Sequence, residues 1–399
     1  MSNIIHVSRW EHFCAYFFAI IVGVWIILKR FFTYIWNPNN FFNIRNRDTA
    51  PMWLVDNTFG QHKYVKLKKV KIHYVEAGLK QNHPIILLHG FPDCWISWRH
   101  QIHFLSEYFR VIAIDLKGFG DSDKPIWRGS YKIDVLLTEL SQFLSVLNIN
   151  KCTIIGHDIG GLIGWFLSYE KPDLVEKFVS ISCPHPNVYW NNLPLNKIMN
   201  KNWINFAQLP SLPELDSMKE DLRIISDYHL HLQEKDNRHQ EFIEAYKYAF
   251  SRKEDWSGPL NYFRNLPFVR INEKSNLLKV PTLLVTGNKD QHVNLEGVVK
   301  STDYCDKFFV KIIESTGHFP HQENPDNFNK ALAKFLKIKS GNNNKINERR
   351  FSPTTGLMNR MIGAMSTTVK YGNSVLDSVQ KKTNGVVHIP SFSFGDSST

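Results

Sequence analysis

The sequence predicts an α/β fold in which a mostly parallel, doubly wound sheet is flanked by helices. Short runs of β-branched residues alternate with helical patterns such as residues 131–147, and this alternation is typical of βαβ units. Several of the runs lead directly into turns that contain glycine and aspartate. Between residues 184 and 278 the alternation stops, and helical apolar spacing indicates a helical cap inserted into the fold.

Eight predicted strands build the sheet, because each is a short run rich in large apolar residues. They are residues 64–67, 70–75, 85–88, 111–114, 153–155, 178–182, 282–286 and 308–313. We expect seven segments along the chain. They are a short N-terminal segment (1–12), a transmembrane anchor with an aromatic belt (13–36), a linker (37–55), the first part of the core (56–183), the cap (184–278), the second part of the core (279–338) and a mostly disordered tail (339–399).

The segment Gly-His-Asp-Ile-Gly-Gly at residues 156–161 predicts a nucleophile elbow. It follows the β-branched run 152–155 and precedes the apolar stretch 162–167, which gives strand, tight turn and helix. The residue at the tip is Asp158, and a carboxylate suits attack on a saturated carbon to form an alkyl ester. The alternative is that Asp158 caps the following helix, but the glycines on both sides favour the elbow.

Two further residues complete a predicted catalytic triad. Asp290 follows the strand 282–286, and His318 follows Gly317 after the strand 308–313. The chain order nucleophile, acid, histidine is the order used by hydrolases with this elbow. Other candidates are Asp115 for the acid and His157 or His321 for the histidine.

Five motifs, each at a predicted strand end, carry a resemblance to a known family. They are His-Gly-Phe-Pro at 89–92, the loop 115–125, the elbow 156–161, Gly-Asn-Lys-Asp at 287–290 and Gly-His-Phe-Pro-His-Gln-Glu-Asn-Pro at 317–325. In register, they resemble the α/β-hydrolase superfamily and specifically its epoxide hydrolase branch, over residues 55–338.

The resemblance implies a two-step reaction. Asp158 would attack an epoxide carbon to form an alkyl ester, and His318, oriented by Asp290, would activate the water that hydrolyses the ester. The backbone N–H groups of Phe91 and Ile159 would stabilise the oxyanion of the second step. In the same pattern Asp115 is a structural residue of its loop.

The chain departs from the family in the cap, where epoxide hydrolases place two tyrosines that protonate the epoxide oxygen. The aligned positions hold Trp203 and Phe263, and neither side chain is a phenolic acid. Either Tyr262, one place earlier, supplies the acid after a small backbone shift, or efficient epoxide opening is lost. Helix geometry disfavours the shift, because adjacent residues point about 100° apart.

Two other functions stay open at this point. A dehalogenase could use the same nucleophile, with Trp203 against the halide, but Ile159 stands where dehalogenases place a second Trp or an Arg. A binding protein that keeps the fold without turnover is the non-enzymatic alternative. Serine-esterase chemistry is disfavoured by Asp158 itself.

Composition excludes several classes of partner. The net charge is +11, but it comes from scattered lysines without a nucleic-acid recognition motif, so we expect no nucleic acid. The five cysteines show no disulfide or metal spacing, and we expect neither metal nor cofactor.

The N-terminal region predicts a membrane anchor. Residues 13–28 are uncharged, Lys29 and Arg30 follow, and residues 31–36 are mostly aromatic. A cleaved signal peptide is disfavoured, because no small-residue cleavage site follows the apolar run. The basic residues after the span predict a single-pass protein with its catalytic domain in the cytosol. We expect the membrane to be that of the endoplasmic reticulum. A membrane location favours a small, lipid-like epoxide as substrate.

Overall fold

The computed structural model describes residues 3–36, 38, 45–190, 201–230 and 239–338. The predicted tail, 339–399, and part of the predicted linker lie outside the described residues. Met1–Ile338 form one compact unit, and only this unit is discussed below. The domain boundaries given above stay predictions.

Ten strands and twelve helices are named in chain order within the described residues. The strands are β1 (Ile4–His6), β2 (Gln61–Lys66), β3 (Lys71–Ala77), β4 (Pro84–Leu88), β5 (Arg110–Ile114), β6 (Cys152–His157), β7 (Val175–Ile181), β8 (Val269–Ile271), β9 (Thr282–Gly287) and β10 (Phe308–Ile313). The helices are α1 (Arg9–Trp36), α2 (Arg99–Leu105), α3 (Ile133–Val146), α4 (Ile159–Glu170), α5 (Pro186–Tyr189), α6 (Lys201–Ala207), α7 (Leu212–Tyr228), α8 (His239–Ala249), α9 (Glu254–Phe263), α10 (Leu295–Lys300), α11 (Pro320–Glu323) and α12 (Pro325–Leu336).

One large sheet forms the core and confirms the predicted fold class. Among the described residues it has eight strands in the order β10-β9-β7-β6-β4-β5-β3-β2, parallel except where β3 pairs with β2 and β5. Every residue of β6 is buried, as expected of a parallel strand covered on both faces. Leu88 pairs with Gly156, so the turns that follow β4 and β6 lie side by side at the carboxyl edge.

The chain between β7 and β9 forms helices α5 to α9 and strand β8, and we call these five helices the cap helices. Helices α7 and α8 lie within the region 184–278 that the sequence predicts as a helical cap. Helix α7 is interrupted from Lys219 to Leu222, where the backbone leaves helical angles and three residues have positive φ. The break divides α7 into two helical halves, so the two halves do not continue one helical face.

Helix α1 is apolar and long enough to cross a membrane, as the sequence predicts. Only Ala19 and Gly23 are buried along its 28 residues, and it packs on cap helix α6. The strand β1 before it is an unpredicted element, and it pairs antiparallel with β8.

Candidate active site

Asp158 lies in the sharp turn between β6 and α4, with a backbone φ of +49°. The turn depends on glycines: a Cβ on Gly156 would lie 2.3 Å from the Gly160 carbonyl oxygen, and a Cβ on Gly160 would lie 2.2 Å from that of Leu88. Such distances exclude any side chain without backbone movement. The local structure is therefore the predicted nucleophile elbow, and it places the buried carboxylate at the carboxyl edge of the sheet.

The structure brings together the three residues predicted as a triad, Asp158, Asp290 and His318. His318 Nδ1 lies 3.1 Å from Asp290 Oδ2, and His318 Nε2 lies 3.5 Å from Asp158 Oδ2. All three side chains are at most 3% exposed. One imidazole thus faces two carboxylates in a site largely closed to water.

Asp290 is fixed by the turn that follows β9. Its Oδ1 accepts hydrogen bonds from the backbone N–H of His292 at 2.8 Å and of Val293 at 3.2 Å, and the Thr286 hydroxyl lies 3.3 Å from Oδ2. These donors hold the carboxylate in the orientation in which it meets the ring of His318.

The charges of the triad stabilise one another. Burial alone would lower the pKa of His318, but the two carboxylates outweigh it and raise that pKa to about 10. Burial alone would raise the pKa of Asp158 and of Asp290, but His318 and backbone donors hold both pKa values below the ordinary one. At neutral pH the site therefore contains an imidazolium between two carboxylates.

The predicted oxyanion donors lie next to Asp158. The backbone N–H of Ile159 donates to Asp158 Oδ1 at 2.6 Å. Gly90 lies so close that an added Cβ would be 2.7 Å from Asp158 Cβ, which brings the backbone just before Phe91 next to Asp158. The role of both amides stays a prediction.

The alternative candidates have other contacts. Asp115 Oδ2 lies 2.7 Å from His73 Nδ1 and accepts from the Asp121 N–H at 3.1 Å, and its Oδ1 accepts from the Trp95 N–H at 2.9 Å. Asp115 therefore holds its loop together and joins it to neighbouring segments. His157 Nε2 lies 2.9 Å from the carbonyl oxygen of His318, and burial lowers the pKa of His157 to about 3. His321 packs on His157, with ring centroids 4.7 Å apart.

Rings from the cap helices and the segments next to them surround the side chain of Phe91. Their centroids lie between 5.1 and 6.4 Å from its centroid, and we call them the aromatic roof: Trp203, Tyr228, Phe250, Trp256 and Phe263. Trp203 and Phe263 also meet each other edge to face at 5.1 Å. The two positions where the family has tyrosines therefore do face the site, with side chains that have no phenol.

Tyr262, by contrast, points away from the triad. Its hydroxyl donates to the carbonyl oxygen of Lys117 at 2.9 Å, and its ring packs on Phe119 and Tyr131. It lines a cavity of about 40 Å³ that none of the triad residues borders. This position disfavours the alternative in which Tyr262 supplies the missing acid, as helix geometry predicts, because neighbouring residues of helix α9 face different sides.

Two tyrosines near the triad were missed by the sequence reasoning. The Tyr189 hydroxyl lies 3.3 Å from Asp158 Oδ2 and donates to it, and Tyr228 stacks on His292 with centroids 5.4 Å apart. Tyr189 follows closely on β7, so its position after a strand end was an available signal. For Tyr228 there was none, because the interruption of α7 separates it from the apolar pattern upstream.

Two groups of side chains in the described residues are close enough to hold a metal ion. They are Asp93 with His157 and His321, and Asp290 with His292 and His318. Burial raises the pKa of Asp93 to about 8, so this carboxyl is mostly protonated at neutral pH and is poorly suited to a cation. In the second group the positive charge of protonated His318 already compensates the negative charge of Asp290.

Comparisons with known proteins agree with this arrangement. The family model described as the alpha/beta hydrolase fold matches residues 83–325. The chain is 34% identical to epoxide hydrolase 4 of Homo sapiens over 75% of this chain and 85% of the relative. It is 33% identical to epoxide hydrolase 3 of Xenopus tropicalis over 75% of this chain and 84% of the relative.

Solved structures show the same likeness. An epoxide hydrolase from Bacillus megaterium, crystallised with an inhibitor, is 26% identical with a TM-score of 0.59, over 69% of this chain and 100% of that chain. An epoxide hydrolase from Vigna radiata is 25% identical with a TM-score of 0.58, over 69% of this chain and 97% of that chain. The chain therefore belongs to the epoxide hydrolase family of α/β-hydrolase-fold proteins.

Proposed function

We propose that this protein hydrolyses epoxides to diols through an ester formed on Asp158. The observation that carries the proposal is a buried carboxylate at the elbow, 3.5 Å from an imidazole that a second carboxylate orients. This arrangement supplies a nucleophile for a saturated carbon and a base for the ester that results.

In the first step an oxygen of ionised Asp158 attacks one epoxide carbon. A carbon–oxygen bond forms to the aspartate, the bond from that carbon to the epoxide oxygen breaks, and the epoxide oxygen takes up a proton. The lowered pKa of Asp158 keeps the carboxylate ionised for this attack, although burial opposes it. The Ile159 N–H at 2.6 Å from Oδ1 fixes the orientation of the carboxylate.

The second step needs a neutral His318, and the first step provides it. Esterification removes the charge of Asp158, which is one of the two charges that raise the pKa of His318. The imidazolium then gives up its proton more readily, which replaces the proton taken up by the epoxide oxygen. The neutral imidazole takes a proton from water as that water adds to the ester carbonyl. The tetrahedral intermediate collapses to a carboxylic acid and an alkoxide, and transfer of the acid proton to the alkoxide gives diol and carboxylate. His318 keeps the proton that it took from water, as in the resting site.

The surroundings of the site support an apolar, lipid-like epoxide. The aromatic roof offers rings and few hydrogen-bonding groups, and burial of alkyl chain against such rings is favourable. The apolar helix α1 supports association with a membrane. The endoplasmic reticulum and a cytosolic catalytic domain stay predictions from the basic residues after the apolar segment.

The test is to incubate purified full-length protein with an epoxide of a long-chain fatty acid, styrene oxide and a bromoalkane, and to measure diol and halide. The proposal predicts diol from the epoxides, fastest from the long-chain one, and no halide. Halide release would favour the dehalogenase alternative. If neither diol nor halide formed and the protein bound the epoxide without changing it, the binding-protein alternative would be favoured.

A further inference from the structure

Epoxide opening needs a proton donor, because an alkoxide is a poor leaving group. The three cap positions considered from the sequence do not provide one. Trp203 and Phe263 face Phe91 without a phenol, and the Tyr262 hydroxyl is bound to the Lys117 carbonyl oxygen. The donor must come from another side chain that reaches the space beside the triad.

Tyr228, the last residue of α7, lies in that space. Its ring contacts Phe91, His292 and Phe319, with centroids 6.3, 5.4 and 6.4 Å away. Phe319 directly follows His318, and His292 lies two residues after Asp290. The charges of Asp158 and Asp290 also add to burial in raising the pKa of the Tyr228 phenol, as expected of a group beside both carboxylates.

The hydroxyl of Tyr228 is available for a ligand. It is buried and has no hydrogen-bond partner among the residues that the structure describes. The residue after Tyr228 helps to fix the position of Tyr228, because His229 Nε2 lies 3.1 Å from the carbonyl oxygen of Pro92 in the His-Gly-Phe-Pro turn. An unsatisfied buried hydroxyl costs free energy unless a bound molecule completes it.

We propose that Tyr228 is the acid that protonates the epoxide oxygen, and that Tyr189 is a positioning residue that orients Asp158 through the hydrogen bond to Oδ2. This inference rests on the proposed function. The acid has thus moved from the family's positions in α6 and α9 to the end of α7.

The proton balance closes with the groups present. As Asp158 attacks, the Tyr228 proton passes to the epoxide oxygen and leaves a phenolate. The proton held on His318 in the resting site then restores the phenol, which leaves His318 neutral as the base of the second step. No oxidant, reductant or further reactant is required.

The test measures ester formation in a His318→Gln background, where the ester on Asp158 accumulates and is counted by mass spectrometry. Adding Tyr228→Phe, which keeps the ring and removes only the hydroxyl, should slow ester formation by about 10²–10⁴-fold. Tyr262→Phe is the matched control, a buried cap tyrosine whose hydroxyl is bound elsewhere, and it should leave the rate unchanged.

In a His318-intact chain, the hydrolysis of an ester already formed should be unaffected by Tyr228→Phe, because the acid acts in the first step only. Ester formation at an unchanged rate in the Tyr228→Phe chain would overturn the acid role and leave the proposed function standing. Absence of any ester on Asp158 in the His318→Gln chain, while wild type makes diol, would overturn the proposed function itself.

A second, independent inference concerns helix α1, whose two ends are docked on the same body. Before the helix, β1 pairs with β8, and the Asn3 side chain donates to the Tyr169 carbonyl oxygen at 3.0 Å. Near its other end, Arg30 Nε lies 2.6 Å from Asp216 Oδ1. A helix that crosses a bilayer about 30 Å thick must place its ends on opposite sides.

The sides of α1 that face away from the protein form a long apolar surface. Large side chains are about half exposed or more from Trp10 to Trp36, and Ile126 and Trp127 are each 76% exposed in the loop beside it. Arg128 of this loop hydrogen-bonds to the Tyr16 hydroxyl of α1. The apolar surface runs along the whole helix, which is about 42 Å long. Its area is far larger than that of the apolar patches that soluble monomers expose.

We infer that α1 lies in the plane of a lipid bilayer, with its outer side and the Ile126–Trp127 loop among the acyl chains, rather than across it. On its inner side α1 packs on α6, and a Cβ on Gly23 would lie 2.4 Å from Cδ1 of Leu209, two residues after that helix. Helix α6 also carries Trp203 of the aromatic roof. The membrane surface and the roof of the site therefore share one helix.

A disulfide distinguishes the two arrangements. Ile5 and Arg270 are directly paired in β1 and β8, where antiparallel partners are close enough for a disulfide. In a Cys14→Ser chain bound to phosphatidylcholine vesicles, Ile5→Cys/Arg270→Cys should cross-link on mild oxidation. The control pair Ile5→Cys/Leu79→Cys should not.

The inference would be overturned if the Ile5→Cys/Arg270→Cys chain did not cross-link and the thiol introduced by Ile5→Cys were shielded from an impermeant maleimide added outside the vesicles. That result would show a spanning helix.

The lipid contact has its own test by flotation of the protein with vesicles. Phe17→Ser/Ile20→Ser/Trp25→Ser should lower the partition coefficient at least about 100-fold, whereas the exposed core change Leu79→Ser should not. A wild-type chain that does not float would also overturn it.

Discussion

The triad and the aromatic roof face each other across one site, but different forces position them. Backbone geometry fixes the triad: Asp158 by a glycine-framed turn, and Asp290 by backbone N–H groups after β9. The roof is positioned by side-chain packing, in helices of which one, α7, is interrupted. A group fixed by backbone has one place in the fold, whereas a group held by packing can be replaced from a neighbouring helix.

The largest effect should come from the triad. Asp158→Asn should abolish turnover with little change in thermal melting, because the two side chains are nearly isosteric and Asn tolerates the positive φ at this position. Diol formation and melting are measured on freshly purified protein. Full activity, with mass spectrometry showing no conversion of Asn back to Asp, would remove Asp158 from the nucleophile role.

The roof should instead tolerate relocation of its acid. In a Tyr228→Phe chain, Trp203→Tyr with Phe263→Tyr should recover at least about tenfold of the lost rate of epoxide opening, because both positions border Phe91. Single-turnover ester formation measures the recovery. A double change without any gain would mean that the roof, like the triad, admits only one arrangement.

The charges of the triad should appear in the pH dependence of stability. The pKa of His318 rises from 6.5 to about 10 in the folded state, so its stabilisation is complete below pH 6.5 and is lost as the pH rises through 10. The melting temperature of wild type should therefore fall toward that of His318→Gln between pH 7 and 10. Parallel curves for the two proteins would contradict a raised pKa.

The smallest effect is expected at Tyr262, whose ring packs on Phe119 and Tyr131. Tyr262→Phe removes one buried hydrogen bond to the Lys117 carbonyl oxygen and should cost about 1 kcal/mol of unfolding free energy. Turnover per folded molecule should stay unchanged. A loss of epoxide opening alone, with the melting curve intact, would return Tyr262 to the candidates for the acid.

The same contrast explains what the sequence could predict. The elbow was accessible because steric limits at Gly156 and Gly160 act within a few residues, and the neighbouring β-branched runs identify the strand ends. Asp290 and His318 follow strand ends in the same way. Short-range constraints of this kind are readable along the chain without knowledge of tertiary contacts.

The other features depend on contacts between distant residues. Tyr228 ends the half of α7 that follows the interruption from Lys219 to Leu222, and no pattern of apolar residues reveals which way the chain continues after such a break. The strand β1 has three residues, too few for a periodic signal, yet its pairing with β8 places the start of α1 on the core.

The oxygen added to the epoxide should come from Asp158 and not directly from water. A single turnover in H₂¹⁸O, with enzyme in excess over a long-chain epoxide, distinguishes these two sources of the oxygen. We expect ¹⁸O in the Asp158 carboxylate, found by mass spectrometry of its peptide, and unlabelled diol. Labelled diol with an unlabelled Asp158 in that first turnover would contradict it.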